Sequence, residues 1–516
     1  MKIVWKSYDP NTPNRGFWDQ TLLEDLFKDE EHYDDYQEGG SVVIIPGRSH
    51  ADYIKEINKD IQKLDWAIII ITGDEEAVFP IGQLEHDHIK IWVQTARIEK
   101  HPPDQFNWLP NGHTPHTKNL NKNKKGLFFA GQVTHERRRE CVDALKKLNA
   151  EVLETAGFTQ GWTAEKYNER MNEAQFIACP SGPETVDTFR VWEALEVGAI
   201  PIVDTQTPKE DQSWYWENLL QDIPFPRIKE WSTVGRIIKD MDYEEQSLQV
   251  QAWYKRFKIN LRNKFRDQYA ELSGELTRKT TVIIPTSPIP SHPNTAIIDE
   301  TIQSVSERLD ADIIVVFDGI RDEQKDFKQK YQTYIKNMLR KDIYPIILTE
   351  HSHQVQATRE ALKHVTTPLI LFVEHDTPLC EEIPFEGLES VVLSGLANVI
   401  RLHHEALILP DHVHLMLDKE PQTINGIPMQ RSKQWSQRPH LASANFYRYI
   451  LAKYFTDNAK SFIEDKLHGV LQDEITSEQG WGKFKLWIYA PERDMKRSYH
   501  LDGRAGGAKY SDKQVY

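Results

Sequence analysis

Thr367-Pro-Leu-Ile-Leu-Phe-Val-Glu-His-Asp376 joins a short apolar run to two carboxylates that flank a histidine. Leu369 to Val373 reads as a buried strand. Glu374 and Asp376 lie two residues apart, so they share a face if the strand continues, and a turn after Val373 redirects either one. Acidic groups at the C-terminal end of a parallel strand, where α/β proteins place ligands, suit a divalent metal carrying a diphosphate. The plainer reading of this segment alone is a solvated loop after a strand.

The neighbouring sequence favours the first reading. A strand at Val282-Ile-Ile-Pro-Thr286 precedes a helix around Ile297 to Arg308, and the strand Asp312-Ile-Ile-Val-Val-Phe-Asp-Gly319 places Asp318 at its end. A helix from about Gln354 to His364 leads into the Glu374-His375-Asp376 strand end. Parallel strands that each end in a polar or acidic group form a nucleotide crevice. Farther on, Phe462-Ile-Glu-Asp-Lys466 sets Glu464 beside Asp465, which is also how carboxylates sit at a helix N-terminus. Trp481, between Gly480 and Gly482, suits stacking on a sugar or packing in a core.

This order resembles the GT-A fold of family-two-type nucleotide-sugar glycosyltransferases over about residues 280–500. Their V-I-I-P-T strand, V-x-D-G strand, A-R-N helix and acidic D-x-D motif are similar to Val282–Thr286, Val316–Gly319, Ala357-Thr358-Arg359 and Glu374–Asp376. The resemblance implies that Thr286, Asp318 and Arg359 bind the donor and that Glu374 and Asp376 hold Mn2+ or Mg2+ on its diphosphate. Glu374 stands where the family has Asp, which lengthens the reach and makes Asp376 the firmer ligand. It further implies an inverting transfer with Asp465, or second Glu464, as general base, and His500 in Tyr499-His-Leu-Asp502 as a further metal ligand.

The N-terminal half has its own informative block. Phe176-Ile-Ala-Cys-Pro-Ser-Gly182 is a strand running into a small-residue turn, followed by a helix read to carry Asp187, Arg190 and Glu193 on one polar face. Backbone N–H groups at Ser181-Gly182 can cradle a phosphate; Arg190 suits a diphosphate and Glu193 a ribose. An exposed helix face with ion pairs is the alternative. The block resembles the nucleotide-binding half of exostosin-like GT-B glycosyltransferases over about residues 126–205. Phe129-Ala-Gly131, Arg137-Arg-Arg139, Tyr167, Phe176–Gly182, Arg190-Val-Trp-Glu-Ala194 and Gly198-Ala-Ile-Pro-Ile202 carry the likeness. It implies a site without metal, where Arg190 and one of Arg137 to Arg139, first Arg137, neutralise the diphosphate. For the base of this module, His50 and His86 are the candidates.

Composition bounds the rest. The chain has 516 residues, a 39% hydrophobic fraction and a formal net charge of −15, so it holds roughly three globular domains and is no general nucleic-acid binder. Its 3 cysteines show no disulfide or metal spacing, which fits a cytoplasmic setting. No run approaches the ~18 apolar residues of a membrane span, leaving peripheral association open. Val250, Trp253, Phe257, Leu261, Phe265, Tyr269 and Leu272 recur at helical spacing, with Lys and Arg on the other faces. The spacing predicts a helix packed across a domain surface, ended by Ser273-Gly274, with lipid binding as the alternative.

The expected architecture is α/β with parallel sheets. A GT-B-like pair of Rossmann-like domains, residues 1–120 (acceptor side) and 121–275 (donor side, with the long helix), precedes a GT-A-like domain at 279–516. The Asn/Lys-rich stretch Thr114 to Lys125 is expected as the linker between the first two. This order is similar to that of heparan-type copolymerases. The expected function is a bifunctional transferase moving sugars from UDP-type nucleotide-sugars to a glycan acceptor. Its rivals are one active module beside a binding scaffold, a nucleic-acid base or protein side chain as acceptor, and a nucleotidyltransferase.

Overall fold

The computed structural model describes residues 1–157, 160–220, 222–275, 278–380, 382–403, 408, 410–491 and 496–501. The tail Asp502-Gly-Arg-Ala-Gly-Gly507, expected to be flexible, lies outside the described residues. The chain separates into two compact units, Met1–Thr277 and Arg278–Tyr516. No described helix is long and apolar enough to cross a membrane.

The first unit holds two parallel sheets. Strands β1 (Lys2–Trp5), β2 (Glu31–Tyr33), β3 (Gly40–Pro46), β4 (Trp66–Thr72), β5 (Ile89–Gln94) and β6 (Asn107–Leu109) run in the order β2-β1-β3-β4-β5-β6. Val42–Ile45 and Ile68–Ile70 are wholly buried, the continuous apolar signature of strands covered on both faces. Strands β7 (Leu127–Gln132), β8 (Glu151–Thr155), β9 (Phe176–Cys179), β10 (Ile200–Asp204) and β11 (Arg227–Ile228) form the second sheet, β11-β10-β9-β7-β8.

The long helix spans Tyr243–Ser273, capped by the Asp242 side chain at one end and by left-handed Gly274 at the other. Val250 and Trp253 enter the core of the second sheet, whereas Leu261, Phe265 and Tyr269 enter that of the first. Phe265 stacks on Trp92 at 4.0 Å and Tyr269 meets Trp66 edge-on at 4.8 Å. One apolar stripe thus serves both sheets. The Thr114–Lys125 stretch, expected as a linker, is docked rather than loose. Lys118 and Leu120 donate backbone N–H bonds to Asn168 (2.9 Å) and Asn172 (2.7 Å).

The second unit is built on one sheet of β12 (Thr280–Thr286), β13 (Ile313–Phe317), β14 (Tyr344–Ile347), β15 (Leu369–Phe372), β16 (Val399–Arg401), β17 (Gln422–Ile424), β18 (Ile427–Arg431), β19 (His440–Ser443) and β20 (Leu486–Tyr489). Its order is β14-β13-β12-β15-β19-β16-β20-β18-β17. The first four strands are parallel as expected, but β19 runs antiparallel to both β15 and β16. That mixed half escapes a sequence reading because its strands are short, three to five residues each, and β17 shows no buried residue.

Candidate functional site

Each unit ends its parallel strands in a polar site. In the first unit, a cavity of about 380 Å3 is lined by Arg138, Arg190, Glu193 and Tyr167 of the second-sheet half, with Trp18 and His116 from the other half. Three consecutive residues of β7 seat Arg190. Its guanidinium lies over the Phe129 ring at 4.8 Å and donates to the Ala130 carbonyl at 2.7 Å. A Cβ on Gly131 would fall 2.5 Å from Arg190 Nη2, so the glycine leaves the space the side chain occupies. Glu193 is 4% exposed and accepts from the Thr114 hydroxyl (2.7 Å) and the Tyr167 hydroxyl (2.9 Å).

The second cation at this cavity is Arg138, not Arg137. Arg137 turns the other way and forms a buried pair with Asp204 at 2.6 Å, also donating to the Lys229 carbonyl. Arg138 donates to the carbonyls of Ser181 (3.0 Å) and Gln132 (3.1 Å). Burial and then the charge of Arg190 push its guanidinium down to about 10. Two cations sharing a poorly hydrated corner make a field that favours an anion. Arg137 to Arg139 were the candidates from sequence, and the rotation of the Glu136–Lys147 helix decides that Arg138 lines the cavity.

The amides at Ser181-Gly182, expected as a phosphate cradle, are turned to partners within the protein. Gly182 N–H donates to the Thr185 carbonyl at 2.8 Å and Ser181 N–H faces Asp204 at 3.5 Å. Asp187 precedes the Phe189–Glu196 helix instead of lying on its face. Its buried carboxylate accepts from Asn111 N–H (2.7 Å), Trp192 Nε1 (2.6 Å) and the Tyr215 hydroxyl (2.6 Å). That role is architectural. Neither candidate base suits the work. His50 is fully buried, bonded to the Pro46 carbonyl (2.7 Å) and Tyr8 N–H (2.8 Å), and His86 binds the Leu64 carbonyl (3.0 Å) at the N-terminal ends of β4 and β5.

In the second unit Thr286, Asp318, Glu374 and Asp376 all lie at C-terminal ends of neighbouring parallel strands. Asp376 is brought to His500: Oδ2 and Nε2 are 3.4 Å apart. Backbone bonds from Tyr499 N–H to Pro378 (3.1 Å) and Leu501 N–H to Asp376 (2.7 Å) hold that closing segment. Glu374 is drawn aside, accepting from Gln354 Nε2 at 3.3 Å. Among the described residues no group of three or more His, Cys, Asp or Glu side chains is gathered for a metal. A carboxylate and an imidazole still fit a cation that takes its other oxygens from a diphosphate and water.

The remaining candidates divide. Asp318 accepts from Ser352 N–H (2.7 Å) and His353 N–H (3.0 Å), with His351 Nδ1 at 2.8 Å, so it shapes the loop into the His353–Lys363 helix. The Thr286 hydroxyl lies 3.4 Å from that of Tyr334. Arg359 is not brought to the strand ends. It donates to four carbonyls, Leu451 (2.8 Å), Phe455 (3.0 Å), Thr456 (2.8 Å) and Asp457 (3.0 Å), capping a helix C-terminus whose carbonyls lack partners of their own. Glu464 and Asp465 open the Ile463–Glu474 helix. Glu464 accepts from Gln437 N–H at 3.1 Å, and Asp465 is exposed. Trp481 is held under Arg431 (5.1 Å) and against Trp487 (5.2 Å). Gln354, at the start of its helix, was not singled out from sequence; a lone glutamine carries no spacing signal.

Known proteins share parts of this chain. Residues 132–271, which carry Arg138, Arg190 and Glu193, match the family described as RXYLT1 C-terminal domain. No curated protein is detectably similar in sequence. Among solved structures, S. aureus TarS 1-349 is 17% identical with a TM-score of 0.28, covering 43% of this chain and 60% of that one. The same fragment in complex with UDP-GlcNAc is 15% identical, TM-score 0.27, over 46% and 61%. GalNAc-T7 with UDP, GalNAc and Mn2+ is 14% identical, TM-score 0.29, over 44% and 45%. The chain thus spans less than two thirds of these structures' own length, and TM-scores of this size carry no weight for function. The matched domain is that of a glycosyltransferase family, which supports a glycosyltransferase here.

Proposed function

We propose that the chain is a two-module glycosyltransferase that uses nucleotide-sugar donors, UDP-sugars first, on a glycan acceptor. A GT-B-like module occupies residues 1–275 and a GT-A-like module residues 279–516. The observation that carries this reading is the chemical difference between the two strand-end sites: a guanidinium pair in one and a carboxylate–imidazole pair in the other. The guanidinium pair can offset a departing diphosphate directly, whereas the carboxylate–imidazole pair would do so only through a divalent cation it holds.

In the first module Arg190 and Arg138 bind the diphosphate, and Glu193, oriented by Tyr167 and Thr114, takes a ribose hydroxyl. In the second, Asp376 and His500 are the residues that would hold Mn2+ or Mg2+, which when bound supplies Lewis acidity toward the leaving nucleotide. Asp465, exposed on the first helical turn, takes the acceptor hydroxyl's proton, while Glu464 is engaged with Gln437. The product is inverted at the sugar carbon.

Nucleotide release is measured over a panel of UDP-sugars with and without Mn2+. Asp376→Ala is expected to lower the metal-dependent reaction at least ~100-fold and leave the other, and Arg190→Ala to do the reverse. Loss of both reactions from either change overturns the two-module reading. A single active module is the second reading, favoured by Glu374 standing apart from Asp376 and His500; it predicts that one variant changes nothing.

A further inference from the structure

The buried amide of Gln354 makes three bonds to three different segments. It is 7% exposed. Its Oε1 accepts the backbone N–H of Ile463 at 2.9 Å. Its Nε2 donates to Glu374 Oε1 at 3.3 Å and to Gln437 Oε1 at 3.0 Å. The orientation of the amide follows from its partners, because an N–H must meet the oxygen and a carboxylate must meet the NH2. Gln437 closes the ring by donating its own backbone N–H to Glu464 Oε2. Ile463 is the first residue of the helix whose opening turn bears Glu464 and Asp465.

The donor-side strand end and the helix of the candidate base are therefore joined through one side chain. Gln354 is itself fixed from below, since Asp318 accepts the N–H groups of Ser352 and His353 just before it. Glutamine is suited to this place as no carboxylate or hydrocarbon is. Leucine fills the volume without any of the three bonds. Glutamate keeps an acceptor for Ile463 but turns an oxygen toward Glu374, where a donor is needed.

We propose that Gln354 is a positioning residue that couples the Glu374 strand end to the base-bearing start of the Ile463–Glu474 helix, so that donor binding sets the base. It rests on the GT-A reading of this unit and adds to it a residue that touches neither donor nor acceptor. Glu374 lies two residues before Asp376, so occupancy at Asp376 constrains it through the backbone, and the amide passes that constraint to Ile463 and Gln437. Without it the donor still binds, but the base is no longer held at its working place.

The test is hydrogen–deuterium exchange on the full chain, with UDP plus MnCl2 as probe, for wild type, Gln354→Glu and Gln354→Leu. In wild type the probe is expected to slow exchange both in residues 369–376 and in residues 460–467. In the variants only the first segment is slowed. Transfer kcat falls at least about tenfold with donor KM within about threefold, the pattern of a lost transition-state interaction. Gln354→Glu keeps the Ile463 bond, so its thermal transition serves as the folding control. Protection of 460–467 that survives in the variants, or an unchanged kcat, overturns the proposal. Protection at 369–376 without any at 460–467 in wild type removes the coupling alone. No protection at 369–376 in wild type removes the donor-site reading and the coupling with it.

Discussion

Gly131 carries no side chain, and that absence is what seats Arg190. The arginine's Nη2 fills the volume a Cβ would take, with the Phe129 ring beneath it and the Ala130 carbonyl accepting its proton. The three residues act together, which is why the triplet is readable as a unit in the sequence. Gly131→Ala is expected to push Arg190 out of the cavity and raise the donor KM of the N-terminal reaction about tenfold, roughly 1.4 kcal/mol. Gly131 has a positive φ of 157°, so the alanine also strains the backbone and the melting temperature should fall as well. An unchanged KM would mean that Arg190 does not face the donor. The neighbouring Arg137 and Arg138 show the limit of such reading: adjacent in sequence, they part on the helix, one to Asp204 and one to the cavity.

Among the elements, the Tyr243–Ser273 helix was the most legible. Its apolar residues keep one face over many turns, and Gly274 stops it. The sequence also supplied the strands Phe176–Cys179, Thr280–Thr286, Ile313–Phe317 and Leu369–Phe372 to within a few residues, since buried parallel strands read as continuous apolar runs. It did not supply β16 to β20, because strands of three to five residues are too short to show a period, and β17 is largely polar as well. Phe265 tests the helix's part in the fold. It is fully buried between Trp92 and Phe27, so Phe265→Ala is expected to cost about 3–5 kcal/mol. Chemical denaturation followed by tryptophan fluorescence checks this; a loss under ~1 kcal/mol would mean the stripe is not structural.

For the molecule as a whole, two buried histidines tie the second unit's stability to pH. Burial pushes His440 down to about 4, and burial with the charge of His375 pushes His292 down to about 3. His440 is held between the Arg438 carbonyl (2.7 Å) and the Tyr447 hydroxyl (2.9 Å), and the cost of burying its charged form outweighs the carbonyl bond that favours it. A histidine whose folded pKa is depressed contributes stability above its unfolded value, near 6.5, which is lost as pH falls toward the folded one. The stability read from urea titrations between pH 7.5 and 4 should therefore fall steeply below about pH 6.5, by on the order of 3 kcal/mol for each ring. His440→Gln should flatten that fall. A midpoint that holds constant to pH 4 would show that these rings are not buried neutral.

The sequence by itself determined the parallel strands, the long helix and the polar groups that end the strands, because each depends on local periodicity and on residue type. Tertiary structure alone decided which of those groups meet. Arg138 was chosen over Arg137 by the helix rotation, and Ser181 and Gly182 lost their free amides to Asp204 and Thr185. Asp376 and His500, far apart in the chain, were joined when residues 498–501 were bonded back along residues 376–379. Glu374 was turned to Gln354, and Arg359 to a helix end. Hydrogen-bond partners at long range are not encoded by spacing; they follow from which surfaces the packed strands and helices bring into contact.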